Sequence, residues 1–314
     1  MPANPLPCVA PVTRRLRVFF APVNRSTAQP TLWDPTTLAT FNPAAPPAPW
    51  LDLGWCSQFV RTSGTKISPL LTGAPANVTV QVRTEVEASV ALEFESWGKL
   101  QLALTAGVQQ MNILSGAPVP LTAASTALAL NLGAPASGFH PGDLVAADVD
   151  YTGQTGFVGS GVSGGYVRSA AAIGADADYI RRLTLNVSRV VTSSAGVLTL
   201  ASPLIAGAPS AGMQVSHVVG FCDREGGSFF QEWSALFVAD GEQGDRLVFH
   251  YPRLQAMTGA AERAESLDTL KPGQNGLTRL RLAGSFRALP ITDANDGEQI
   301  VCYRSYLPAP NRMV

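Results

Sequence analysis

Residues 77 to 94 read NVTVQVRTEVEASVALEF, and the even positions Val78, Val80, Val82, Thr84, Val86, Ala88, Val90, Leu92 and Phe94 form an unbroken, mostly apolar series. The odd positions hold Thr79, Gln81, Arg83, Glu85, Glu87, Ser89, Ala91 and Glu93. Alternation with period two marks a strand with one apolar side, and no glycine or proline interrupts it. The pattern predicts a strand of roughly 55 Å at about 3.3 Å per residue, far longer than the mean of about 5–6 residues. Such a strand must overhang an ordinary sandwich or bend at a corner. Its polar side sets Arg83 against Glu85, Glu87 and Glu93, with Glu95 just beyond, and reads as acidic.

Shorter patterns flank it. Leu16 to Pro22 is a strand candidate, and Pro43, Pro46, Pro47 and Pro49 in FNPAAPPAPW favour an extended arm laid on a neighbouring molecule. After the long strand, Ser96 can cap a helix over residues 97 to 106, with Trp97, Leu100 and Leu104 at helical spacing for packing on a sheet. SFFQEWSALFV and DRLVFHYPRLQ flank ADGEQGD, a hairpin pattern. LTRLRLAGSFRAL sets Leu280, Leu282, Phe286 and Ala288 on one side and Arg279, Arg281 and Arg287 on the other, while Asp296 and Gly297 mark a turn before a last strand.

Between residues 117 and 220 the text changes. Nine charged residues fall in these 104 positions, against 36 in the other 210. Short β-branched runs separated by Gly and Pro turns predict a small β domain there. The expected organisation is therefore an N-terminal strand and proline-rich arm (1–50), a β core (51–116 and 221–314), and an inserted β-rich domain (117–220). The fold class is mainly β: an antiparallel sandwich or barrel with one short flanking helix, interrupted by the insert.

Composition narrows the setting. Only 14% of the 314 residues are charged and 46% are hydrophobic, against about 25% charged in an average globular domain. Much of the surface is thus expected to be covered by other subunits. Residues 100 to 142 carry no charge, but Gly107, Gln109, Gln110, Asn112, Gly116, Pro118 and Pro120 break them, so no membrane insertion is expected. Prolines in the first twenty residues interrupt any signal-peptide core, which points to the cytoplasm. There Cys8, Cys56, Cys222 and Cys302 are expected as buried free thiols rather than a disulfide framework. A net charge of −1 argues against a grip on nucleic acid through phosphate neutralisation.

Candidate chemistry is thin. GSGVSGG, residues 159 to 165, satisfies both the dinucleotide fingerprint and the nucleophile elbow around Ser163. Both need a strand, a turn and a helix in an α/β series, which a nearly all-β chain does not offer. The loop is expected to be a mobile turn. His140 is expected in a turn, and His217 and His250 in strands as structural residues. Three scattered histidines and four isolated cysteines lack the spacing of a zinc site, and Asp293 to Gly297 fits a hairpin turn better than a calcium loop. No catalytic, cofactor or metal residues are assigned, and the chain is not expected to be an enzyme.

Taken together, WLDLGW through GTKI, the long alternation ending in EFESWGKLQLALTAG, and later FFQEWSALFV, RLVFHYPRLQ and LPITDANDGEQIVCYRSYL resemble the tail tube (major tail) proteins of long-tailed bacteriophages and related injection machines. The resemblance covers roughly residues 50 to 116 and 221 to 307. It implies a β-sandwich with a flanking helix that forms stacked, hexameric rings, whose long strands close one continuous barrel around a channel. It further implies a virion protein assembled in the host bacterial cytoplasm. Its partners would be its own copies, the tape measure, the tail tip and the terminator, with DNA as non-adhesive cargo. On this reading Arg83, Glu85, Glu87 and Glu93 face the lumen, and Arg279, Arg281 and Arg287 pair with carboxylates across subunits. The insert would decorate the outside. Another virion component (terminator, baseplate or capsid) and a carbohydrate-binding β protein stay open as alternatives.

Overall fold

The computed structural model describes residues 13, 16–23, 29–37, 41–47, 50–107, 110–122, 124–149, 187–204, 208–209, 213–223, 232–242, 244–257, 261–266 and 278–308. The glycine loop with Ser163 lies outside them. In chain order the strands are β1 (Leu16–Pro22), β2 (Leu51–Thr72), β3 (Asn77–Phe94), β4 (Gln110–Pro120), β5 (Ala129–Asn131), β6 (Leu144–Val149), β7 (Val187–Ser194) and β8 (Val197–Leu200). They continue as β9 (Met213–Asp223), β10 (Glu232–Asp240), β11 (Arg246–Ala256), β12 (Ala261–Ser266), β13 (Thr278–Ala288), β14 (Ile291–Thr292), β15 (Gln299–Ile300) and β16 (Tyr303–Leu307). Among the described residues one α-helix, α1 (Lys99–Ala106), follows β3. The protein is mainly β and antiparallel, as its alternation predicts.

The chain divides into two compact units. The first draws on residues 1–21, 30–97 and 231–314, and its main sheet closes on itself. Around the ring the order is β1, β2, β3, β13, β11, β10 and back to β1. Closure is possible because two strands divide an edge between partners. β13 pairs with β12 over Thr278–Ala283 and with β11 over Phe286–Ala288, while β11 pairs with β16 over Arg246–His250. Within the ring, short of the far halves of β2 and β3, closure leaves the six strands no open edge.

Aromatic side chains fill the ring. Phe20 of β1 lies 6.4 Å from the rings of both Trp233 and Phe237 on β10, and 5.5 Å from Phe286 on β13. Phe237 also meets Tyr251 of β11 at 5.8 Å and Phe59 of β2 at 5.0 Å. Tilted and edge-on contacts of this kind add about 0.5–1.5 kcal/mol each beyond area burial. They tie five strands together through one or two large, flat side chains from each.

β10 is buried on both sides from Trp233 to Ala239, more than a barrel interior alone accounts for. Its outer side, with Phe19, Ala21 and Val248, is covered by Trp33, Phe41 and Trp50. The buried Ser234 hydroxyl accepts from the Thr31 amide (2.9 Å) and donates to the Pro252 carbonyl (2.7 Å). The described part of the proline-rich segment therefore packs on its own barrel, where the sequence led us to expect an arm reaching a neighbour. Its tryptophans and phenylalanine have an apolar wall within the same chain, and burial there is worth the ordering cost.

The second unit, within residues 22–29 and 98–230, contains a six-stranded sheet in the order β4, β9, β6, β7, β8, β5. Its core joins Leu130, Leu132, Phe139, Val145, Leu198 and Val215 with smaller residues. An inserted β unit is thus present, but it spans 98–230 rather than 117–220. α1 belongs to this unit. Both ends of the unit extend beyond the expected insert because β4 and β9 pair from Gln110 with Asp223 to Pro120 with Gln214, a long-range pairing that neither strand shows by itself.

Candidate functional site

The most distinctive surface is the far half of the β2–β3 hairpin. β1 pairs with β2 only over Leu51–Cys56, and β13 pairs with β3 only over Ser89–Phe94. Beyond these limits, residues 62–72 and 77–87 are exposed throughout and pair only with each other among the described residues. At about 3.3 Å per residue they form a two-stranded arm roughly 35 Å long. Both edges present unpaired backbone N–H and C=O groups. Val78, Val80 and Val82 remain 55%, 50% and 50% exposed, and Ile67, Leu70, Leu71 and Val86 are comparably bare. Large apolar side chains on a ribbon with two open edges are a template for pairing with another chain.

The valines do not share one side. Directly opposed residues of an antiparallel pair lie on the same face. Going outward, Lys66 opposes Glu85 while Ile67 opposes Arg83, and Leu70 opposes Val80 while Leu71 opposes Val78. Each step advances β3 by two residues for one on β2, which is a β-bulge at Thr84 and another at Thr79. Every bulge reverses the side to which the next residues of β3 point. Val86 continues the barrel-facing side of Ala88 and Val90. Val82 and Val80 lie on the opposite side, and Val78 returns. The single apolar face predicted by strict alternation is thereby split, and the arm carries apolar residues on both faces.

The same bulges redistribute the charges. Arg83, grouped by sequence with Glu85 and Glu87, lies on the other face. Glu85 pairs instead with Lys66 across the hairpin at 2.5 Å. That bond holds the Glu85 carboxyl below its ordinary range and the Lys66 ammonium above its own, with Glu87 and Arg287 adding smaller contributions of attraction. Lys66, from a strand the alternation argument did not include, compensates Glu85, while Glu87 stands opposite Gly64.

Glu93 departs further from expectation. It is 4% exposed, with Oε2 3.4 Å from Arg263 Nη2 and Oε1 3.3 Å from Arg281 Nε. Arg281 also donates to Glu265. One of the three arginines expected to bridge subunits therefore meets carboxylates of its own chain. Arg279 stands opposite Glu265 across β12 and β13, and Arg287 opposite Ser89 across β13 and β3.

The remaining polar candidates have structural surroundings. His250 is buried in β11, 6.1 Å from Trp50 and stacked on Tyr303 at 5.7 Å. Burial pushes its imidazole down to about 4, against a weaker opposing contact with the Thr31 backbone. His217 stacks on Phe139 at 4.3 Å and lies 3.6 Å from Asp143, which accepts from the His140 amide at 2.7 Å. Cys56 and Cys302 are free thiols. Burial, helped by Glu95, pushes Cys56 up to about 12, so it stays protonated at neutral pH. Asp293 accepts from the Asn295 amide and the Tyr303 hydroxyl and shapes the turn before β15. Among the described residues no group of three His, Cys, Asp or Glu is placed to hold a metal ion, and no described helix is long and apolar enough to cross a membrane.

Comparison with protein-family models and with curated proteins gives no match to this chain.

Proposed function

We propose that the protein is a ring-forming structural subunit of a tail tube, and that neighbouring subunits join through the β2–β3 arm. The observation carrying this reading is the arm: eleven residues on each strand, exposed on both faces, apolar on both, and open along both edges. A monomer with such a ribbon is prone to irregular association. Arms from neighbours laid side by side satisfy the edges of one another and close into a barrel only when the ring closes. The resemblance to tail tube proteins supplies the stacking of such rings, six subunits per ring, and the passage of DNA through them. On this reading the Lys66–Glu85 pair takes one of the arm's cations away from passing phosphates, and Glu87 repels them.

The test is multi-angle light scattering with negative-stain electron microscopy of the purified protein in physiological salt. Rings or hollow tubes with sixfold symmetry are expected. A stable monomer that also fails to polymerise on added tail-tip complex would end the proposal.

A further inference from the structure

The foot of the arm carries a second feature, independent of the assembly reading. Arg61 of β2, just before the exposed residues, shares a groove of about 490 Å³ with Leu247 and Phe249 of β11 and Arg304 and Tyr306 of β16. Leu247 is directly opposed to Tyr306, and Phe249 to Arg304, so all four project from one face of the β11–β16 pair. Arg304 and Tyr306 are exposed, while Arg61 and Phe249 are half-buried.

Arg61 is fixed in place. Its Nε donates to the Tyr251 hydroxyl at 3.0 Å, and its guanidinium carbon lies 5.2 Å from the centre of the Phe249 ring. The Cys302 thiol is a further polar neighbour. Burial pushes both the Tyr251 hydroxyl and the Cys302 thiol above their ordinary values, so neither carries charge at neutral pH. A guanidinium held only by neutral groups keeps its full charge at a cost in lost hydration.

Among the described residues no carboxylate offsets that charge. Arg61 and Arg304 have no ion pair among them, and none of the five residues around the groove is acidic. The carboxylates nearest along the strands are turned away or engaged. Asp240 pairs with Arg246 on the other face of β10 and β11, Asp293 accepts from Tyr303 on the other face of β16, and Asp245 is buried against Gly241. Glu85 and Glu87 occupy the side of β3 opposite to that of Val90, the residue directly opposed to Arg61. Two guanidiniums thus give the groove a formal charge of +2 beside an apolar floor of Leu247 and Phe249.

We infer that this groove binds an aryl oxyanion, with a carboxylate or phosphate group held by the two guanidiniums and the aromatic body laid on Leu247, Phe249 and Tyr306. Guanidinium forks match the oxygens of either anion. The flat side chains beside them cover a ring.

Equilibrium dialysis of the whole protein against phenyl phosphate and benzoate tests this. At least one should bind saturably, whereas neutral benzyl alcohol should not, and inorganic phosphate and acetate should bind at least tenfold more weakly for want of a ring. Tighter binding of phenyl phosphate assigns the site to a phosphate ester, and equal or tighter binding of benzoate assigns it to a carboxylate. Arg304→Gln should weaken binding at least tenfold. Tyr306→Glu should abolish it by setting a carboxylate of the protein's own beside the arginines. Both positions are exposed, so neither change disturbs the core. No binding of either aryl anion, equal binding of benzyl alcohol, equal binding of the ring-free anions, or binding that survives both variants would overturn the inference.

Discussion

Gly196 shows how narrowly a single residue can be constrained. It has φ +81°, and a Cβ there would stand 2.9 Å from Gly133 Cα and 3.1 Å from both the carbonyl carbon and oxygen of Gly133. The obstructing atoms are backbone and cannot swing aside, and the Gly196 carbonyl holds the amides of both Leu132 and Gly133. Gly196→Ala should therefore destabilise the second unit by roughly 2 to 4 kcal/mol, combining left-handed backbone with overpacking. Chemical denaturation of the variant checks it. His250 sets a pH limb instead. Its folded value near 4 lies below the ordinary 6.5, so the unfolded chain takes up the proton first. Stability from this group is complete above pH 6.5, falls as pH drops from 6.5 to 4, and amounts to roughly 3 kcal/mol. His250→Phe should flatten that part of the stability curve, and an unchanged slope would mean that other groups carry it.

At the scale of the element, the arm is separable from the barrel. Ser63 and Ala88 are directly opposed where the arm leaves the ring, so replacing residues 64–87 by Asn-Gly closes a two-residue hairpin at that point. The exposed arm makes little contribution to the barrel core. The shortened protein should keep its midpoint of denaturation within about 1 kcal/mol of the parent while losing any higher assembly seen by light scattering. Val80→Asp with Val82→Asp should have the same effect on assembly, since both side chains are bare in the single chain. Much of this element was legible beforehand: the alternation of residues 77 to 94 marks a strand of the observed length. Its two bulges were not, because Thr79 and Thr84 look like ordinary members of the series. A bulge depends on how β2 runs alongside β3, and no one strand encodes it.

For the whole molecule, two units with separate cores predict two unfolding transitions in calorimetry. The Gly196→Ala variant should lower the temperature of only one of them. A single transition that moves as a whole would show that the units unfold as one. The division was partly visible as the drop in charge after residue 117. The boundary at 98 was not, because a short helix and one more strand, α1 and β4, read equally well as part of either unit.

By itself, the sequence determined the mainly β class, the long hairpin strand, the turn at Asp296 and Gly297, and the presence of an inserted β unit, because periodicity and turn chemistry are local properties. Tertiary structure decided the rest. Ring closure depends on β13 and β11 each dividing an edge between two partners. The distribution of valines and charges on the arm depends on bulges set by a neighbouring strand. Glu93 reads as one more acidic position in an alternating row, yet it is buried beside Arg263 and Arg281, which lie some 170 and 190 residues away. Which side a residue faces, and what it meets there, follows from pairing between distant segments.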